Sequence, residues 1–166
     1  EMLSWAAGTT PAWFLSSHDI DLVNWFMGAR PVSAYATAVR GVLEARGVDT
    51  LDAVQAQVRY DGGGVATFES CWIYPNTFPT MTDSFIEVVG EQGVVHLPRI
   101  DDQLLLATEE SYTFPRMSIG ADIHGQRLGA VTAALNHMVT CVETGQEPLV
   151  TLESSRLVIA TLDAIH

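Results

Sequence analysis

One stretch of strict alternation constrains the fold of this chain more than any other feature. Residues 53–60 place apolar side chains at every second position, namely Val54, Ala56, Val58 and Tyr60. A glycine-rich turn at 61–64 leads into a second β-type run at 65–74. Alternation on both sides of such a turn predicts a long antiparallel hairpin. One face is apolar and needs a cover, whereas the other carries the polar side chains Gln55, Gln57, Arg59, Thr67 and Glu69.

Further strands are predicted around this hairpin. Residues 84–89 and 94–97 flank Gly90-Glu91-Gln92-Gly93, which predicts a second hairpin. Short runs of β-type residues predict additional strands at 32–39, 103–108 and 112–114.

A helix is predicted over residues 17–27. Ser16 and Asp19 have the spacing of a capping box, and Gly28 followed by Pro31 ends the pattern. Its apolar residues recur at helical spacing at Ile20, Val23, Phe26 and Met27.

The last third of the chain predicts two more helices. The first has an apolar stripe that ends before Gly145 and Pro148 and comprises Leu128, Val131, Leu135, Met138 and Val142. The second has Thr151 as its N-cap and a stripe formed by Leu152, Ser155, Ile159 and Leu162.

These elements predict an α+β fold with a mostly antiparallel β-sheet. The two C-terminal helices are expected to pack on the apolar face of the hairpin. The other face is left available for oligomerisation. A length of 166 residues fits one domain, 1–166.

Composition excludes several classes of partner. Eight basic against twenty acidic residues give a net charge of −12, which disfavours nucleic acid. No apolar run is long enough for a membrane span, and the acidic start is unlike a signal peptide.

All basic residues are arginine, so this chain alone supplies no lysine for Schiff-base or acid/base chemistry. Cys71 and Cys141 lie in apolar stretches, which favours free buried thiols and a cytoplasmic protein over a disulfide.

His18 is the best candidate for chemistry. The predicted cap places it at a helix start, where the dipole favours the neutral imidazole, a form that accepts a hydroxyl proton. Asp21, three residues on, lies on the same side and can orient the ring. From these residues alone, the structural interpretation, a polar first-turn histidine beside dipole-matched aspartates, is favoured over catalysis.

Other motifs are weaker. His137 and Cys141 have i, i+4 spacing but no second ligand pair, so no metal is predicted. The Gly62-Gly63-Gly64 turn joins two strands, which is not the context of a phosphate loop. The pairs Asp101-Asp102 and Glu109-Glu110 are interpreted as solvated loop and strand ends.

Four motifs, in order, resemble the glucose–fructose oxidoreductase and inositol dehydrogenase family. Residues 17–28, SHDIDLVNWFMG, resemble its H-x-x-D-x-x-x-x-x-x-G helix, and 68–72, FESCW, its strand before an active-site loop. Residues 88–95, VVGEQGVV, resemble its G-x-x-G hairpin. Residues 135–152, with GQEP at 145–148, resemble its helix–G-x-x-P–helix ending.

The resemblance implies a C-terminal substrate and oligomerisation domain. In that family an N-terminal Rossmann domain holds NAD or NADP and normally supplies the active-site lysine, so this chain alone is expected to bind no cofactor and to be inactive. The missing start methionine and the helical pattern at the C-terminus also led us to expect a piece of a longer protein. Partners are expected to be a small-molecule substrate and further copies of the chain, with no nucleic acid and no membrane.

By position, His18 corresponds to the family's catalytic histidine, which exchanges a proton with the substrate hydroxyl. The family often has an aspartate four residues earlier, where this chain has Phe14. Three interpretations of this difference stay open: Asp21 replaces the aspartate as orienter, this member acts on an unusual substrate, or activity has been lost. Candidates for substrate contact lie in loops or at element ends: Trp13, Tyr74, Asn76 and His124.

Two other functions are left open by the sequence. A non-enzymatic α+β module that binds a ligand or partner is favoured by Phe14 at the position where the family often has an aspartate. A self-contained isomerase or hydrolase lacks a convincing nucleophile or acid/base pair.

Overall fold

A computed structural model describes residues 4–80, 82–99, 104–115 and 118–166 and shows the expected α+β architecture. Its described helices are α1 (Ser17–Met27), α2 (Ala130–Thr144) and α3 (Leu152–Ile165). The chain packs as two compact units. Unit 1 contains the described residues up to Tyr74 together with Leu149–His166, and unit 2 contains the described residues of Pro75–Pro148. The organisation of 1–166 as one domain stays a prediction.

The alternating stretch forms the middle of a three-stranded antiparallel sheet in unit 1. The strands are β1 (Pro31–Val39), β2 (Ala53–Tyr60) and β3 (Val65–Cys71), in the order β1-β2-β3. The predicted 65–74 strand ends early because Cys71 pairs with Ala53, the first residue of β2.

The two faces of this sheet differ as the alternation predicts. Val54, Ala56, Val58 and Tyr60 are buried. The opposite face, which we call the open face, is exposed at Gln55, Gln57, Arg59, Thr67 and Glu69. Gln55 donates to the Glu69 carboxylate across the strands, with 2.9 Å between Nε2 and Oε2.

The cover of the apolar face differs from the prediction. The core joins Ile20 of α1 and Val158, Leu162 and Ile165 of α3 to the buried residues of the sheet. The expectation that a C-terminal helix covers the hairpin is confirmed for α3, and α1 contributes to the same core. Helix α2 belongs to unit 2, and its packing on the hairpin stays a prediction.

Helix α3 begins as predicted but buries a different stripe. Thr151 accepts from the Ser154 amide at 3.1 Å, and Ser154 Oγ accepts from the Thr151 amide at 3.0 Å, which completes a capping box. Leu152 is 93% exposed and Ile159 47% exposed. Leu162 is buried as predicted, but the other buried residues, Val158, Thr161 and Ile165, do not belong to the predicted stripe.

Unit 2 consists of short antiparallel ribbons and α2. The first is the predicted hairpin of β4 (Phe85–Gly90) and β5 (Gly93–Pro98). The others are β6 (Leu106–Ala107) with β7 (Tyr112–Thr113), and β8 (Ala121–Ile123) with β9 (Gln126–Leu128). Residue 103, the predicted start of one strand, lies outside the described residues.

The β8–β9 hairpin was missed by the sequence analysis, and it shortens α2. Leu128 ends β9, so the helix starts at Ala130 rather than at the predicted Leu128. The cause is backbone conformation: His124 and Gly125 make the turn with φ of 51° and 79°. At Gly129, with φ of 122°, a Cβ atom would lie 2.7 Å from the Ile119 oxygen.

The predicted stripe of α2 is exposed at Val131, Leu135, Met138 and Val142, whereas Cys141 is buried.

Cys71 is half-buried, and both cysteines are free thiols. None of the described helices combines the length and the apolar composition needed to span a bilayer.

Candidate functional site

The helical backbone around His18 begins earlier than the sequence predicts. A π-helical segment, Ala12–Ser16, runs directly into α1. Ser16 has helical φ and ψ of −73° and −12°, makes no capping bond, and its buried hydroxyl bonds the hydroxyl of Ser70 in β3. The predicted capping box with Asp19 is therefore wrong. The helix-start argument for a neutral His18 loses its basis, because helical backbone precedes this residue.

His18 and Asp21 lie on one side of α1. The His18 side chain is exposed and that of Asp21 is half-buried. In the part of the chain that the structure describes, neither side chain has a hydrogen-bond or ion-pair partner, so the orienting contact is not formed. An exposed imidazole is accessible to a ligand, and the two roles stay predictions.

An aromatic cluster lies beside this helix. Phe14, on the π-helical segment, is 51% exposed and packs against Trp5 with 4.8 Å between ring centroids. The centroid of the Trp72 ring lies 6.4 Å from that of the Phe14 ring. Trp72 is fixed by its indole Nε1, which donates to the Leu51 carbonyl oxygen at 2.7 Å. Phe14 therefore places an apolar side chain where the resembled family often has an aspartate.

Trp13 lies in a cleft of unit 1 with a volume of about 320 Å³. Its ring is 5.6 Å from that of His166. His166 Nδ1 lies 3.0 Å from the Leu162 carbonyl oxygen, so Nδ1 carries the proton of the neutral ring and Nε2 accepts from the Thr10 hydroxyl at 2.6 Å. Arg40 and Thr50 also line this cleft. Of the predicted site residues, only Trp13 lines it.

Thr10 and His166 were missed because no sequence signal connects residues 156 positions apart. Only the packing of α3 against the start of unit 1 brings them together.

The other candidates for substrate contact are divided between the units. Tyr74 is exposed at the end of the first segment of unit 1. Asn76 and His124 are exposed residues of unit 2, and His124 occupies the first turn position between β8 and β9. The turn explains the positive φ of His124 without a functional role, and its contact with a substrate stays a prediction.

A second cleft lies within unit 2, with a volume of about 480 Å³. Arg127 gives it a cation, at 3.7 Å from the Asp122 carboxylate, and hydroxyls come from Thr80, Thr82, Thr113 and Thr132. Scattered threonines in loops carry no motif, so sequence reasoning could not select this cleft.

Metal binding finds no support among the described residues, where no three His, Cys, Asp or Glu side chains form a group that could hold an ion. His137 Nε2 lies 3.5 Å from the Cys141 sulfur on α2. Asp101 and Asp102 lie outside the described residues, and Glu109 and Glu110 are exposed.

The described residues do not fit a dinucleotide. A Rossmann site needs a parallel strand followed by a glycine-rich turn and a helix N-terminus. The Gly62–Gly64 turn instead joins antiparallel β2 and β3, with Gly63 N donating to the Tyr60 oxygen and Tyr60 N to the Gly64 oxygen, each at 2.9 Å. The described residues therefore offer no site for the pyrophosphate of a nicotinamide cofactor.

Comparison with known proteins gives one family match. The family model of the GFO/IDH/MocA C-terminal domain matches residues 1–96, which include His18, Phe14 and Trp72. No curated protein matches the chain.

Solved structures share the fold. A UDP-N-acetylglucosamine 3-dehydrogenase from Acidithiobacillus ferrooxidans is 14% identical with a TM-score of 0.71, over 99% of this chain and 48% of its own. A putative myo-inositol dehydrogenase from Sinorhizobium meliloti is 24% identical with a TM-score of 0.66, over 90% and 44%. A scyllo-inositol dehydrogenase from Lactobacillus casei, solved with NAD(H) and scyllo-inositol, is 17% identical with a TM-score of 0.63, over 90% and 43%. The chain thus spans less than half the length of these structures.

Proposed function

Because this chain belongs to the GFO/IDH/MocA C-terminal domain family, we propose that it is the substrate-binding and oligomerisation domain of an NAD(P)-dependent oxidoreductase. The full protein transfers hydride between NAD or NADP and a sugar, a polyol or a related small molecule with hydroxyl groups. The family match over residues 1–96 is the observation that carries this proposal. The dehydrogenase neighbours support it through their shared fold.

In this proposal the cofactor is bound outside the described residues, and the chain supplies substrate contacts and a proton acceptor. An imidazole nitrogen of His18 takes the proton of the substrate hydroxyl as the carbinol carbon is oxidised, and returns it in the reverse direction. Asp21 orients the ring once substrate is bound. The candidates for substrate contact are those that the sequence suggests, Trp13, Tyr74, Asn76 and His124.

The assignment extends to partners and location. A net charge of −12 disfavours binding to nucleic acid, and two free cysteines are typical of a reducing compartment. We therefore propose a cytoplasmic enzyme that associates with copies of itself and not with nucleic acid or a membrane. The open face of the sheet is the surface proposed for self-association.

His18→Ala in the intact protein tests the proposed chemistry. We expect kcat to fall by about 10²–10⁴-fold while cofactor affinity stays unchanged, because only proton transfer is removed. His96→Ala is the matched control, since His96 is exposed on β5 and pairs with Glu87 at 3.1 Å. Turnover of His18→Ala at the wild-type rate would contradict the role of His18.

The alternative is a non-enzymatic ligand- or partner-binding module, favoured by Phe14 in place of an aspartate. It predicts no hydride transfer by the intact wild-type protein with any cyclic or open-chain polyol, whereas substrate-dependent NAD(P)H formation at 340 nm excludes it.

A further inference from the structure

Three aromatic side chains of unit 1 pack in series, Trp5 on Phe14 and Phe14 on Trp72, and we call them the aromatic platform. Trp5 is 46% and Phe14 51% exposed, and Trp72 is half-buried. The interplanar angles to the central Phe14 ring are 35° for Trp5 and 41° for Trp72. Tilted rings at these centroid distances attract one another, so the three side chains stabilise each other's positions.

Hydrogen bonds to neighbouring elements fix two parts of the platform. Phe14 lies on the π-helical segment, whose last residue, Ser16, is tied to β3 by the buried bond to Ser70. Trp72 is tied to the Leu51 carbonyl through its indole nitrogen. A ligand that binds to such a surface loses little affinity to the ordering of side chains.

The platform lies next to the proposed proton acceptor. Phe14 and His18 are four residues apart on continuous helical backbone, both exposed, and this spacing places them on the same side. An apolar surface beside a single polar group is the usual composition of a small-molecule site. π-Helical turns within helices are also frequent at functional sites.

We propose that the aromatic platform binds the apolar face of a ring-shaped, hydroxylated substrate and presents a rim hydroxyl to His18. This inference rests on the proposed function and selects, within it, cyclic over open-chain substrates. A six-membered ring with equatorial hydroxyls has flat C–H faces that can cover the exposed rings, while its hydroxyls stay at the rim. An open-chain polyol has no continuous apolar face and loses more rotational freedom on binding.

Phe14 is central to this selectivity. A carboxylate at this position would bind hydroxyls of either substrate shape, whereas an aromatic ring favours the ligand that offers an apolar face. Phe14 is thus a specificity-determining residue, and His18 is the group that handles the proton.

The test uses the intact protein and two probes, methyl β-D-glucopyranoside as the ring and D-mannitol as the open chain. Binding is measured by calorimetry, and turnover by NAD(P)H absorbance. We expect Phe14→Ala to weaken ring binding by about tenfold, which corresponds to about 1.4 kcal/mol, and to leave binding of the open chain unchanged. Trp5→Ala, at an exposed edge of the platform, is expected to act in the same direction.

Phe26→Ala is the matched control, because Phe26 is an exposed aromatic residue of α1 that packs on Trp25 and not on the platform. His18→Ala should retain ring binding while turnover falls. Phe14-dependent ring binding without turnover by the wild type would leave the platform standing and overturn the oxidoreductase. Equal loss of both probes in Phe14→Ala, unchanged ring binding there, or no ring binding by the wild type would overturn the platform.

Discussion

Tyr60 links the helix that carries His18 to the sheet. Its hydroxyl donates to Asn24 Oδ1 on α1 at 2.9 Å, and the side chain is only 3% exposed. Asn24 Nδ2 is itself buried without a partner among the described residues. Burial raises the pKa of Tyr60 to about 12, because the phenolate would lose its hydration. This single side chain therefore makes the position of α1 sensitive to both mutation and alkaline pH.

Tyr60→Phe is expected to destabilise the fold by about 1–3 kcal/mol, because the half-buried Asn24 side chain loses the donor to its Oδ1 atom. The measurement is the free energy of unfolding in urea at neutral pH. Tyr35→Phe is the matched control, since Tyr35 is 73% exposed on β1. A loss no larger than that of the control would show that the Tyr60–Asn24 bond does not stabilise α1.

The same residue predicts a pH dependence. The folded pKa of about 12 lies above the unfolded value of 10, so the folded state holds the proton more tightly. The contribution of Tyr60 to stability is thus complete below pH 10 and is lost as pH rises from about 10 through 12. Urea titrations across this window should show a loss of stability for wild type that is smaller in Tyr60→Phe. Identical losses in both proteins would contradict the raised pKa.

At the scale of elements, Asp52 holds the connection between β1 and β2. Its carboxylate accepts from the amides of Val42 at 2.8 Å and Leu43 at 2.9 Å, and the residue is 1% exposed. Its own amide donates to the Val39 oxygen at 2.8 Å. A charged acceptor with two backbone donors fixes the loop that lines one side of the unit 1 cleft.

Asp52→Ala is expected to cost about 3 kcal/mol of folding stability, because two amides lose a charged acceptor in a buried setting. Asp49→Ala is the matched control in the same loop, where an exposed carboxylate pairs with Arg40. A surface ion pair of this kind contributes about 0–1 kcal/mol. Thermal and urea unfolding of both variants measure this loss. An equal loss of stability in the two variants would contradict a stabilising role of the Asp52 hydrogen bonds.

At the scale of the whole molecule, the open face is the proposed contact between copies. Its polar residues and Tyr35, Thr37 and Val39 of β1 are exposed across three strands. We expect a dimer or larger assembly that tightens as salt rises from low to physiological levels, because salt screens the repulsion between chains of net charge −12. Light scattering behind size exclusion measures the mass, and a monomer at every salt concentration would refute self-association.

A charge reversal locates the contact. Arg59→Glu on the open face should weaken the assembly more than Arg46→Glu. The control makes the same charge change in the exposed short 3₁₀ helix Glu44–Arg46. Equal masses for the two variants would contradict a contact through the open face.

The cofactor prediction also concerns the chain as a whole. Titration of this chain with NADH should give no heat above dilution, because its described strands are antiparallel and its glycine turn does not lead into a helix. A micromolar dissociation constant would contradict the assignment of the cofactor to another region.

Local patterns in the sequence determined much of the secondary structure. The alternation at 53–60 predicted β2 and its two faces, and Gly28, Gly145 and Thr151 marked helix ends. Such features depend on backbone hydrogen bonds and side-chain periods that span a few residues, so a single sequence contains them. The family resemblance, confirmed by the match over 1–96, came from the same kind of local motif.

Only the tertiary structure decided what each pattern contacts. Ser16 bonds Ser70 instead of capping a helix, α1 packs on the sheet beside α3, and Trp5, Phe14 and Trp72 pack on one another. A hydroxyl that can cap a helix can equally bond a distant strand, and an apolar stripe does not specify its cover. Which partner a side chain finds depends on packing between segments far apart in the chain, where local spacing carries no information.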